Sequence, residues 1–479
     1  MTRTDAPTLD WNPRMAEPPG EGHAFRTTHR AWREALMRTL GRWWIIVFGL
    51  GLVGYVSLGK GFAFLPYSPA FFAELMLVAG TPLLLLVRRP FALFGQTTII
   101  LIAALAAWNL PQTLANLGTY GIDALRDSAI YYYAAFAVLV AGVFIDRPHW
   151  LPIAIRRIDL WGWVLIAVLP FLFVVQMALG GAMPRWPWVG EPVLSLKPGD
   201  TLLFAGSITA LSIVGLGRQR SSWWYLPLAA LLAAGGAISR GGLLAFTLAF
   251  GLAFACFPRA LWAWRVVVLS AVIVVALLAM DVSFEVPGRQ REFSVRQVAQ
   301  NFTSAFVSVD RGDLDDTKNW RLEWWGRIVG YTFGGEHFWT GKGYGINLAN
   351  SDGFQVFEDN SLRSPHNGHL TILARGGVPA FLLWITLHMS WLMAVGLGYL
   401  RARAKHQTGW TRFFVWVGAA YLAAMFVASF DVYLENPMGA VWTWSIVGLG
   451  IAGTVLAPRY PHLLDPLVGR PTLATGKDT

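Results

Sequence analysis

Repeated apolar runs of about twenty residues constrain this chain more than any other feature. Hydrocarbon about 30 Å thick is crossed by that many helical residues, and an isolated strand cannot cross because its backbone polar groups would go unpaired in lipid. The composition agrees: of 479 residues 55% are hydrophobic and 14% charged, with 24 tryptophans. The pattern predicts an all-α integral membrane protein with about twelve transmembrane helices. The expected spans lie near 42–59, 68–87, 92–109, 126–145, 158–179, 200–216, 223–238, 240–257, 261–280, 376–400, 410–430 and 437–456. Cys256 is the single cysteine, so no disulfide forms within the chain. It is expected to be a small buried apolar side chain.

Basic residues orient the spans, because cytoplasmic connections are enriched in Lys and Arg. "VRRP", "DRPHW…RRID", "GRQR", "PRALWAWR" and "RARAKHQTGWTR" all fall on one side, and the opposite connections carry isolated bases. Both termini are therefore expected in the cytoplasm. Residues 1–41 read as a cytoplasmic tail before an uncleaved first span, and 457–479 as a second tail. Within the first tail, "AFRTTHRAWREALMRTLGRWW" reads either as a basic helix on the inner membrane face or as a solvated segment. The net charge of +10 is an inner-face anchoring effect rather than a nucleic-acid signal.

Between helices 1–9 (residues 42–280) and helices 10–12 (371–456) lies a long outer loop, 281–370. It contains "KNWRLEWWGRIVGYTFGG", which reads as an amphipathic helix at the outer interface. Its expected apolar face is Trp325, Ile328 and Phe333, with Trp324 and Tyr331 nearby. "TGKGYGINLAN" follows, glycine-rich and turn-like. "DRGDLDD" (310–316) contains Asp313 and Asp315 in an Asp-x-Asp spacing, but no βαβ pattern surrounds it, and it is expected to be a solvated loop.

Ionisable residues at span edges are costly and point to function. Arg126 opens the fourth span, Arg240 separates spans seven and eight in "AISRGGLLAF", Arg321 lies on the loop helix, and His366 precedes span ten. All fall on the outer side. Guanidinium forks suit a diphosphate, although a lone arginine also serves as a headgroup anchor. The "SRGG" flank lets a backbone or a ligand approach closely. An imidazole, with an ordinary pKa near 6.5, suits His366 to accept a proton at about pH 7, while a structural hydrogen-bonded His is the competing reading. Asn367 is placed to orient a sugar hydroxyl or the His. His369 reads as structural. Asp431 and Glu435 in "FDVYLENP" return to the same face, either to orient an Arg or His366 or simply to end a helix before Pro437.

"SPHNGHLTILARGGVPAFLLW", with "SRGGLL", "NWRLEWW…GKGYG" and "DVYLENPMGAVWTWSIVGLG", resembles the O-antigen ligase and polysaccharide polymerase superfamily. Gly377 stands where that family has Gly after the His-Asn pair, while Ala380 replaces a common Gly. The resemblance implies a glycosyltransferase of the bacterial cytoplasmic (inner) membrane whose site faces the periplasm. It would be metal-independent and inverting, with no cofactor, and would move a glycan from undecaprenyl diphosphate to an acceptor sugar hydroxyl. By similarity Arg240, Arg321 and, less closely, Arg126 match the diphosphate-binding arginines, and His366 matches the essential His. The implied partners are the lipid-linked donor, a lipid A-core or lipid-linked acceptor, and membrane lipids, with no nucleic acid. A ligase is expected first. The alternatives are a polymerase using a second lipid-linked repeat, a protein O-oligosaccharyltransferase, and a transporter or flippase.

Overall fold

A computed structural model describes residues 21–67, 70–218, 220–258 and 312–468, together with a few residues between 259 and 311. The expected span at 261–280 and the tails at 1–20 and 469–479 lie largely or wholly outside the described residues. Among the described residues the regular structure is helical apart from two short antiparallel ribbons, Pro66–Tyr67 with Ala70–Phe71 and Ser283–Glu285 with Glu292–Ser294. The long helices are α1 (Glu21–Leu58), α2 (Phe72–Leu86), α3 (Thr97–Tyr120), α4 (Ile122–Tyr132), α5 (Ala135–Asp146), α6 (Trp150–Leu179) and α7 (Pro198–Ile213). They continue with α8 (Tyr225–Ile238), α9 (Arg240–Cys256), α10 (Gly312–Phe333), α11 (Gly368–Ala404), α12 (Thr408–Ala428) and α13 (Pro437–Leu456). Among the described residues, six helices are long and apolar enough to cross a membrane, and the α4–α5 pair, bent by 45°, makes up to seven. Helices α2 and α9 are apolar but shorter. Every expected interval other than 261–280 is nevertheless occupied by a helix.

The order of the helices separates two chemically different ends. α11 begins beside His366, α12 ends just before Asp431, and α7 begins after Lys197. The opposite end collects the basic connections. There Arg88 pairs with Asp146 at 3.1 Å, Arg220 pairs with Asp159 at 2.7 Å, and Arg412 donates to the Gly215 carbonyl at 3.2 Å. The buried face of α9 runs through Gly242, Ala245, Phe246, Ala249 and Ala253. Cys256, expected to be buried, closes that helix with its side chain exposed.

The outer loop folds differently from the interfacial helix read in the sequence. Trp324 and Ile328 are fully buried, and Tyr331, one turn further, packs beside them, whereas Phe333 is exposed. The face at 324, 328 and 331 follows helical spacing and seats on Leu348, Phe354, Leu373 and Val378, so it covers protein rather than lipid. Trp324 Nε1 donates to the buried Asp352 at 2.7 Å, and Lys342 pairs with the same carboxylate. From Gly312 the backbone of the "DRGDLDD" stretch is helical, not a loop; the side chains of Asp313 and Asp315 lie outside the described residues.

What docks this loop is a break inside α11. Gly377 has φ 75° in the middle of the helix, next to Pro379, so local backbone groups lose their intrahelical partners. The loop supplies replacements: Lys342 N donates to Ala374 O at 2.7 Å, Gly343 N to Arg375 O at 3.0 Å, and Val378 N to Phe338 O at 2.8 Å. Gly377 is required twice over, by its left-handed φ and because a Cβ there would lie 2.5 Å from Phe338 O. Gly377→Ala is expected to destabilise the folded protein by at least about 1–3 kcal/mol. The readouts are the thermal transition in detergent and protease cleavage within 334–345, which should become rapid. A variant as resistant as the parent would mean that the loop does not depend on this break.

Candidate active site

His366 sits in a turn that the rest of the fold holds in a sparsely populated conformation. Its φ is 53°, uncommon for a residue with a Cβ. Two neighbours secure the turn: Trp325 Nε1 donates to Pro365 O at 2.9 Å, and the Asn367 side chain caps α11 by accepting from His369 N at 3.0 Å and Leu370 N at 3.1 Å. Asn367 Oδ1 is thereby engaged by the start of α11. His369 is structural: its Nδ1 accepts from Trp384 Nε1 at 3.0 Å, and its Nε2 meets Ser429 Oγ at 3.2 Å.

The half-exposed imidazole faces Asp431, with Nδ1 3.8 Å from Oδ1. The other oxygen of Asp431 is paired with the Lys197 ammonium, and Oδ1 also accepts from Val432 N at 2.7 Å. Burial raises the Asp431 pKa, but the His366 ring and Lys197 outweigh it and hold the carboxyl below the usual carboxylate range. Lys197 is pulled down by burial and held up more strongly by Asp200, Asp431 and Glu435, so it stays charged. Arg321 reaches the same corner along α10, donating from Nη1 to Phe430 O at 3.2 Å. Its burial lowers its pKa, and Asp431 opposes that effect.

Arg240 opens α9, whose start packs closely on that of α7. A Cβ on Gly242 would fall 2.7 Å from Gly199 Cα, and one on Gly199 would lie 3.1 Å from Ser239 Oγ. Helices α7 and α9 therefore begin side by side, with Lys197 before the first and Arg240 opening the second. The Ser239 hydroxyl caps α9, accepting from Gly242 N at 3.2 Å. In "SRGG", Gly242 admits a neighbouring backbone, while Gly241 faces open space.

Arg126 stands in an adjacent cluster. It is 54% exposed, 3.2 Å from Asp123 and 3.8 Å from Asp127. The buried Asp127 is the hub there: its Oδ2 accepts from Arg363 at 2.9 Å and Gly345 N at 3.1 Å, and forms an ion pair with Arg375 at 3.0 Å. Arg375, with no exposed side-chain surface, also donates to Ile346 O at 3.1 Å and so ties loop to helix. Glu435 lies between the clusters and accepts from Thr371 at 2.8 Å; burial pushes its carboxyl up, while Arg375 and Thr371 pull the other way. Pro437 occupies the first turn of α13, so the segment that carries Asp431 and Glu435 also sets up that helix.

Lys197, Asp127 and Arg363 were missed in the sequence. Lys197 stands in "LSLKPGD", a base at the edge of an apolar run, and the criterion that selected Arg240 would have found it. Asp127 and Arg363 carry no comparable local signal.

The fold is thus a multi-pass helical bundle with a histidine, a paired carboxylate and several cations at one end, charges suited to an anionic ligand. Residues 226–385 match the family model described as O-antigen ligase. That match places the segment from α8 into α11, which carries Arg240, Arg321 and His366, in the O-antigen ligase and polymerase superfamily, as its motifs indicate. No curated protein matches the chain.

Proposed function

We propose that this protein is an O-antigen ligase-like glycosyltransferase that moves a glycan from undecaprenyl diphosphate to a sugar hydroxyl, inverting the anomeric carbon without a metal. The observation that supports it most is the convergence of His366, Asp431, Lys197 and Arg321 from four separate parts of the chain. In this reading the twelve spans keep both termini in the cytoplasm, and the site opens to the periplasm.

No nucleotide sugar is available outside the cytoplasm, so the donor must carry its own leaving group. The acceptor oxygen attacks the anomeric carbon as the bond to the diphosphate oxygen breaks. His366 takes the acceptor proton, through Nε2 because Nδ1 faces Asp431. Asp431 orients the ring and stabilises the imidazolium. The departing diphosphate accumulates negative charge, and Arg321 and Arg240, preorganised at the edge of the bundle, stabilise it. Arg126 sits at the rim, beside the Asp127 hub. A single displacement needs no carboxylate nucleophile, unlike a retaining mechanism.

The test is transfer by purified protein from a defined lipid-linked glycan to three acceptors supplied separately: lipid A-core, a second lipid-linked repeat and a serine-containing peptide. Product with lipid A-core is expected. Product only with the repeat would assign polymerisation instead, and transport of the intact donor without any product would overturn the enzyme reading. Arg321→Ala and Arg240→Ala are each expected to lower donor kcat/KM by about 10–100-fold, as loss of a charge-assisted contact worth ~1.5–3 kcal/mol implies. Lysine at either position should restore only part of it, because the planar fork is lost. Unchanged kcat/KM in both alanine variants would remove these arginines from the donor site.

A further inference from the structure

We propose that Lys197 is a partner-switching cation: the resting protein holds it on Asp431, and an incoming diphosphate takes it and hands Asp431 to His366. The proposal rests on the reading of the site as a lipid-diphosphate transferase.

Asp431 is shared unequally between two bases. Its Oδ2 is closed on Lys197, whereas His366 Nδ1 stands 3.8 Å from the other oxygen, Oδ1, beyond hydrogen-bond reach. An imidazole that must receive a proton at one nitrogen works best when the other is held by a carboxylate. The resting arrangement therefore leaves His366 short of the contact it would need during transfer, with the carboxylate anchored through Oδ2 by the ammonium.

Lys197 is the cation suited to change partners. Arg321 is tethered to the Phe430 carbonyl through a planar group. Lys197 carries a compact ammonium on a flexible stem, with three donors that rotate freely. Its side chain is 38% exposed, so a ligand can reach it. It lines a cleft between α1, α7 and α13 whose other walls include Tyr55, Phe204, Met438 and Trp442. Asp200, in the first turn of α7, lines the same cleft with its Oδ1 buried without a hydrogen-bond partner, and its carboxylate favours the charged form of the lysine. A diphosphate carries more charge than one carboxylate and competes effectively for the ammonium. Ion-pair exchange then couples donor binding to arming of the base, and an empty site stays disarmed.

The switch predicts opposite effects of two substitutions on affinity for undecaprenyl diphosphate, measured with full-length protein in nanodiscs. Lys197→Met should weaken Kd about tenfold. Asp431→Asn should tighten Kd about threefold, because no pair has to be broken, while lowering kcat at least tenfold because His366 loses its partner. General repulsion by Asp431 would also tighten binding, so Asp431→Asn is repeated in the Lys197→Met background. The switch requires the tightening to vanish there. Equal tightening in both backgrounds would overturn it, as would a Lys197→Met Kd within twofold of wild type. Lys197→Arg, which keeps the charge, should bind within threefold of wild type and guards against a folding artefact; weakening as large as that of Met would also overturn the proposal. Inorganic diphosphate in a parallel arm separates recognition of the headgroup from recognition of the lipid. Failure of wild type to bind undecaprenyl diphosphate at all would defeat the functional reading itself, whereas normal binding with a flat response to Lys197→Met defeats the switch alone.

Discussion

Replacing His366 by asparagine should reduce glycan transfer by about 10²–10⁴-fold, the usual contribution of a positioned general base. Asparagine is the informative substitution because it tolerates the left-handed conformation that His366 adopts, φ 53°, so the turn before α11 survives. Trp325 and Asn367 hold that turn through Pro365 O and the α11 amides, and neither interaction uses the imidazole. Undecaprenyl diphosphate should still bind within a few-fold of wild type, since Lys197, Arg240 and Arg321 remain. In cells, lipid-linked donor should accumulate while the protein inserts at normal levels. Product within threefold of wild type would show that His366 is not the proton acceptor.

Replacing Asp127 by alanine should cost about 3–5 kcal/mol of stability, because a buried ion pair loses one member and leaves the other uncompensated. Arg375 has no exposed side-chain surface and would keep its charge without its carboxylate, and Gly345 N would lose its acceptor. The effect should appear as a lower thermal transition in detergent and faster proteolysis of the 334–365 segment. Asp123→Ala is the comparison. That carboxylate is partly exposed and pairs with Arg126 and Arg363 at 3.2 Å, so its loss should cost no more than about 1 kcal/mol. Equal transitions for the two variants would mean that Asp127 is not what ties the loop to the bundle.

The two predictions fall on opposite sides of what the chain discloses by itself. His366 and Arg240 stood out as candidates because each is an ionisable residue at a recognisable boundary between apolar and polar sequence, and Arg321 because it lies on the aromatic-rich loop helix. Gly377 was readable from its spacing after His366, although the reason for it was not. Only the folded chain shows that a loop carbonyl, Phe338 O, lies where a Cβ would go. The loop helix was half readable: its amphipathic character was evident, but the buried face was misassigned because a face that seats on protein and one that rests in lipid have the same periodicity.

What the sequence alone determined is that this is a multi-pass helical protein with a long polar segment between its apolar runs, because the length of an apolar run and its flanking charges are properties of consecutive residues. What the tertiary structure alone decided is which charge neutralises which. Arg363 and Asp127 stand 236 residues apart, and Lys197 meets Asp431 only because α7 begins where α12 ends. The strength of an ion pair depends on its separation in space and on the dielectric around it, and neither is written in the order of residues along the chain.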